Sequence, residues 1–184
     1  MRSDYIDPAV LDHILAALTP QNELAMRVAL ATGLRIGDVL AIKSEQVIHG
    51  RRFTVREAKT GKARRVYIPE YLYERMLDTM GKHYVFEGRL DARKPRTRQA
   101  VWRDLRRAAA AFRCSEAVVL SPHSARKVFA VESFKRFGSP DKVQRLLNHG
   151  EQSVTMLYCL AEEVTRRKLH GSTDPRRGRR RGSA

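Results

Sequence analysis

The stretch from Leu120 to Leu160 limits the possible folds most, because residues that start and stop helices for different physical reasons cut it into three helices. Ser121-Pro122 is a start signal: the serine hydroxyl accepts from an early helical N–H, and proline fits a first turn whose N–H groups have no helical partner. Val128, Phe129, Val131 and Phe134 carry that helix to Gly138. Ser139-Pro140 then cap a second over Asp141 to Asn148, and after Gly150 a long last helix begins near Ser153 with Val154, Leu157, Tyr158, Leu160 and Val164. His123 and Arg126, three apart, share one face of the first helix near its N-terminus, a cationic face suited to a phosphate. Tyr158 follows Asn148-His149-Gly150 by less than three helical turns. A tyrosine hydroxyl, with a pKa of about 10, is a poor nucleophile at neutral pH. A surrounding set of Arg, His and Lys is what would make it useful against a phosphodiester.

The upstream chain supplies more of that set. Asp7-Pro8 opens a helix that buries Leu11, Ile14 and Leu15, and Thr19-Pro20 ends it. A second helix, Glu23 to Ala31, is apolar enough to be central, and Thr32-Gly33 stops it. Arg35 therefore stands at a corner before a third helix, about Ile36 to Lys43, where Asp38 can hold it. The period then changes. Val47-Ile48, Phe53-Thr54-Val55 and Val66-Tyr67-Ile68 predict three short antiparallel strands, and the second turn crowds Lys59, Lys62, Arg64 and Arg65 at a hairpin tip that can reach DNA. A helix follows from Glu70 to Met80. Between Arg89 and Arg113 lie nine Lys or Arg and only two Asp. Arg96 falls in a loop there, Arg98 just after it, and a helix from Gln99 to Phe112 turns Arg103, Arg106 and Arg107 outward, a face suited to phosphates or a major groove.

Charge points to the partner. Lys and Arg number 36 against 20 Asp and Glu, a net +16, and the tail from Pro175 carries five of those charges, leaving +11 on the body. A folded domain that basic meets a polyanion, most commonly nucleic acid. The absence of a long uncharged apolar run argues against a membrane partner. Asp4, Asp7 and Asp12 interrupt the N-terminal apolar residues, which is no signal peptide, so Cys114 and Cys159 are expected as reduced thiols in the cytoplasm.

Four runs, taken together, resemble the catalytic domain of the tyrosine recombinase, or phage integrase, family. They are Ala31-Thr32-Gly33-Leu34-Arg35-Ile36-Gly37-Asp38, Lys59-Thr60-Gly61-Lys62, His123-Ser124-Ala125-Arg126 and Leu147-Asn148-His149-Gly150, with Tyr158 nine residues past His149. The resemblance implies that Arg35, Lys59, His123, Arg126, His149 and Tyr158 are the six catalytic residues and that Asp38 supports the first arginine. It implies a mainly α fold with a small three-stranded antiparallel sheet and a DNA breaking-rejoining reaction through a 3'-phosphotyrosine, without cofactor or metal. Residues 1–171 would form the catalytic domain and 172–184 a disordered Arg-rich tail. Family members usually carry a core-binding domain before the catalytic one; only about thirty residues precede Arg35 here, so that domain is expected to be absent from this chain. The expected partners are double-stranded DNA and, on paired sites, three further copies, with a monomer in solution and a cytoplasmic, bacterial or phage-encoded setting. Two other readings stay open: a DNA-binding module with this fold but no activity, and a type IB topoisomerase-like enzyme.

Overall fold

The computed structural model describes residues 3–112 and 119–170. Ten helices and two strands run through them: α1 Pro8–Ala16, α2 Pro20–Thr32, α3 Ile36–Leu40, α4 Ser44–Val47, β1 Arg52–Arg56, β2 Ala63–Tyr67, α5 Glu70–Thr79, α6 Arg98–Ala111, α7 Pro122–Phe137, α8 Pro140–Leu147, α9 Gln152–Cys159 and α10 Ala161–His170. The capping logic holds locally. The Asp7 carboxylate accepts from the Ala9 and Val10 amides at the start of α1, and the Ser121 and Ser139 hydroxyls accept from His123 and Lys142 at the starts of α7 and α8. Thr19-Pro20 does more than end a helix. It begins α2, with no cap from its own hydroxyl; the Thr19 amide and hydroxyl both donate to the Asp104 carboxylate of α6 at 2.8 and 2.9 Å.

The sheet has two strands where the sequence pattern predicts three. β1 and β2 pair antiparallel with Val55 opposite Arg64 and Phe53 opposite Val66. Val47-Ile48 is instead the end of the short helix α4, whose first turn is closed when the Gln46 side chain accepts from the Lys43 amide at 2.9 Å. Val47 is fully buried from that helix. An apolar pair after a polar turn satisfies either period, and tertiary packing selects the helical one.

Two clusters of buried side chains fill the molecule. The larger takes Leu11, Ile14 and Leu15 from α1, Leu24 and Met26 from α2, Val55 and Val66 from the sheet, Leu72 and Met76 from α5, Leu105 from α6 and Val128 from α7. The smaller consists of Ala130, Val143, Leu147 and Cys159, with Phe129, Phe134 and Tyr158 against it, and joins α7 to α8 and α9. Gly33, at φ 65, ends α2 beneath the ring of Phe129; a Cβ there would lie 2.4 Å from that ring, so both backbone conformation and space require glycine.

The last helix is two. It breaks at Leu160, and α10 docks on its own chain by a side that excludes the apolar Leu160 and Val164. Ala161 and Thr165 are the buried residues. The Tyr5 amide donates to Thr165 Oγ1 at 3.0 Å, Lys168 pairs with Asp4 at 2.5 Å, and Glu162 pairs with Lys135 of α7 at 2.8 Å. Leu160 and Val164 face solvent; the Leu169 side chain, the Arg-rich tail and Cys114 lie outside what is described.

Candidate active site

Arg35 occupies the extended residue just before α3, where the αL turn at Gly33 aims it back over the end of β1. There its Nη1 donates to Glu57 Oε2 at 2.6 Å. The ion pair that holds Arg35 is thus with Glu57, not Asp38. Asp38 points to the hairpin and accepts from the Ala58 amide at 2.9 Å. Glu57 itself is completely buried, and its Oε2 also accepts from the Thr60 hydroxyl at 3.1 Å. Lys59, between Ala58 and Thr60, is exposed on the turn and lines a cleft of about 770 Å³ together with Arg35, Arg98, His123, His149 and Tyr158.

Arg126 lies under this cleft rather than in its wall. It is 1% exposed, and its guanidinium donates to the Gly33 carbonyl at the end of α2 and, at 2.6 Å, to the Leu147 carbonyl at the end of α8. Those are the carbonyls that helix C-termini leave without amide partners, so one side chain closes two helix ends. Burial and the nearby Arg35 pull its pKa down to about 10, which leaves it charged at neutral pH. Arg64 makes a similar bed beside it, donating to the Thr32 and Gly33 carbonyls, with Glu57 Oε1 3.9 Å away. Arg64 was expected on the DNA-facing surface. The alternation of β2 turns it inward with Val66, while Arg65 and Lys62 are exposed.

On the far wall, α8 ends at Asn148, the sole non-glycine residue with positive φ among those described, and that turn presents His149 to the cleft. The His149 Nδ1 lies 3.1 Å from Thr155 Oγ1 of α9, and its ring meets the Tyr158 ring edge-on at 5.1 Å. Burial, then the cations Arg126 and Arg35, push the His149 pKa down to about 4; burial and the same two arginines lower that of His123. Both imidazoles, lowered from the ordinary 6.5, are therefore neutral at pH 7, each able to give or take one proton.

The surface arginines divide. Arg98 opens α6 at the cleft edge, and Arg106, over the Trp102 ring at 5.6 Å, is exposed with Arg103. Arg107 pairs with Asp104 at 2.5 Å. Arg96 is not a free surface cation as expected: its guanidinium donates to Asn22 and Gln21 of α2. The residue that sequence reasoning missed is Glu57. Its signal was an acid placed alone among the cations of the hairpin.

The phage integrase family matches residues 4–163 of the chain. Probable integrase/recombinase YoeC of Bacillus subtilis (strain 168) is 34% identical over 143 residues, covering 76% of this chain and 77% of that protein. Tyrosine recombinase XerD of Ralstonia nicotianae is 28% identical over 171 residues, covering 88% of this chain and 55% of XerD. A lambda integrase tetramer bound to a Holliday junction superposes with a TM-score of 0.70 at 21% identity, over 86% of this chain and 48% of that one. The chain thus spans about half the length of the latter two proteins.

Proposed function

This chain belongs to the phage integrase family, and we propose that it is the catalytic domain of a tyrosine-type site-specific recombinase, over residues 1–171, which cuts and rejoins double-stranded DNA through a covalent 3'-phosphotyrosine. The observation that carries the reading is the cleft that gathers Tyr158, His149, His123, Arg35 and Lys59 over the buried Arg126. Five residues from the start of α3, the hairpin, α7, the α8 end and α9 border one space of about 770 Å³, with Arg126 beneath it. Relatives named integrase and tyrosine recombinase support it further.

In this reading Tyr158 Oη attacks phosphorus in line, forming the P–O bond to tyrosine as the bond to the 5'-oxygen breaks. Arg35 holds a non-bridging oxygen, and Arg126 acts at close range as a buried positive charge for the charge that grows there. Lys59 gives its proton to the departing 5'-oxygen, and His123 takes or steers the proton of Tyr158. His149 hydrogen-bonds the phosphate. Arg98, Arg103, Arg106, Lys62 and Arg65 supply sequence-independent contacts to neighbouring phosphates. The chain works as a monomer in solution and as four copies on two DNA sites, an assembly supported by the lambda integrase tetramer on its junction.

The test is a nicked suicide duplex, which traps the protein on DNA. The wild-type chain should form an adduct stable to denaturant, and Tyr158→Phe should form none while binding DNA within about twofold of wild type, since the ring keeps its place against the small cluster of Ala130, Val143, Leu147 and Cys159 and edge-on to His149. Binding without an adduct would leave a DNA-binding module. An adduct with relaxation of supercoils but no exchange between paired sites would favour the topoisomerase-like reaction.

A further inference from the structure

Glu57 belongs to none of the groups given a role in the reaction above, yet it has the most complete burial of any carboxylate among the described residues and sits where two of those groups meet. A carboxylate is costly to bury without partners. Its Oε2 takes two donors, Arg35 Nη1 at 2.6 Å and Thr60 Oγ1 at 3.1 Å, while its backbone ties the turn, the Gly61 amide donating to the Glu57 carbonyl at 2.8 Å and the Glu57 amide to the Lys62 carbonyl at 3.0 Å. Thr60 is the immediate neighbour of Lys59. A single oxygen therefore connects the arginine that meets the phosphate to the turn that carries the acid for the leaving group. The opposite oxygen, Oε1, has no hydrogen-bond partner and faces Arg64 at 3.9 Å.

Charge explains why a carboxylate is needed at this point. Arg35 in the cleft wall and Arg64 and Arg126 beneath it converge; burial first, and then Arg35, lower the pKa of both Arg64 and Arg126, and the Glu57 carboxylate stands among the three. Without it, Arg35 would be repelled from the position in which the phosphate finds it. We infer that Glu57 is a positioning residue: resting on the proposed recombinase reading, it presets Arg35 and the Lys59 turn together, so that phosphate clamping and leaving-group protonation are delivered in register. The paired tether on the hairpin, from Asp38 of α3 to the Ala58 amide, fixes the same turn from its other side.

The two arms can be cut separately. Glu57→Gln keeps the shape and loses the charge; Thr60→Val, on an exposed turn, loses the hydroxyl that donates to Glu57 and accepts a long bond of 3.4 Å from the Lys62 amide. Single-turnover cleavage would be followed on suicide duplexes carrying oxygen or sulfur at the 5'-bridging position, since a thiolate leaves without an acid. Glu57→Gln should bind the duplex at least as tightly as wild type, because a negative charge has been removed from a basic chain, and cleave the oxygen substrate about 10²-fold more slowly, with sulfur restoring only part of the rate. Glu57→Asp should recover a share of the loss. Thr60→Val should be slowed about tenfold on oxygen and restored fully by sulfur. Wild-type cleavage by Glu57→Gln, or a Thr60→Val deficit equal on both substrates, overturns the inference. If the wild-type chain itself forms no adduct on either substrate, the recombinase reading falls and the inference falls with it.

Discussion

The cationic side of the cleft, with Arg126 buried beneath it, and the wall that carries Tyr158 are two banks held by very different amounts of protein. The cationic bank is rooted in the large core: α2 and α7 cross beneath it, Arg126 and Arg64 are hydrogen-bonded to the carbonyls that end α2, and Glu57 locks Arg35 to the hairpin. The nucleophile's bank rests on four small or medium side chains, Ala130, Val143, Leu147 and Cys159, and exposes Leu157 at 66%, Leu160 at 45% and Val164 at 55%. Burial of apolar area is the main stabilising term in both. The difference teaches that the cations proposed to bind the phosphate are preset by the fold, whereas Tyr158, the proposed nucleophile, rides on a segment with far less buried side chain beneath it.

Salt gives the largest expected effect. With six to ten phosphates contacted, affinity should fall roughly 10³ to 10⁵-fold between 50 and 200 mM salt. Replacing Arg98, Arg103 and Arg106 by Gln should flatten that slope far more than replacing Arg166 and Arg167 on α10. Equal flattening would mean that DNA contact is shared by both banks. Next in size is Lys59→Ala, expected to slow cleavage about 10² to 10⁴-fold and to be rescued by a 5'-bridging sulfur; no differential rescue would transfer the acid role to Lys62 or His123.

Stability sharpens the contrast directly. Arg126→Ala leaves the Leu147 carbonyl without its donor and the Gly33 carbonyl with only the 3.5 Å bond from Arg64, and should cost about 2–5 kcal/mol in a urea melt, while Leu157→Ser on the far bank should stay within about 0.5 kcal/mol. A comparable loss from Leu157 would show that α9 is as firmly rooted as α7. The smallest effect concerns protons. His149, held down near a pKa of about 4 against an ordinary 6.5, favours the neutral form in the fold, so the unfolded chain binds a proton first as pH falls. Its contribution to stability is complete above about 6.5 and erodes as pH falls toward about 4. A bound phosphate reverses the local charge, so DNA should raise the His149 pKa. Its imidazole resonances, titrated with and without duplex, should report a higher pKa on binding; an ordinary value in the free protein would show that neither burial nor the two arginines hold it down.

Most helix starts were legible because capping is local. Asp7-Pro8, Ser121-Pro122 and Ser139-Pro140 each satisfy amides within three residues, and nothing distant is needed to make them work. The same holds for the αL stops at Gly33 and Gly138. Arg35, Lys59, His123 and His149 likewise sit within two residues of a cap or an αL turn, whereas Arg126 and Tyr158 lie inside helices and were picked out only by the four runs taken together. Val47-Ile48 was misread because two residues cannot distinguish a period of 2 from one of 3.6.

Which side chains face inward was decided elsewhere. Arg64 and Arg65 are identical and adjacent, and only the register of β2 on β1 sends one under α2 and the other to solvent. Arg96 reads as a loop cation until α2 brings Gln21 and Asn22 to it. Glu57 gives the clearest case: a carboxylate can be buried only where cations from other parts of the chain arrive to face it, and Arg35 and Arg64 do so through the crossing of α2 and the hairpin. By itself the sequence determined what is settled within a turn or two of backbone: where most helices begin and end and which residue types stand at their ends. The tertiary structure decided every partnership across the chain, because the energy of a charge depends on what surrounds it in space and not on what precedes it in sequence.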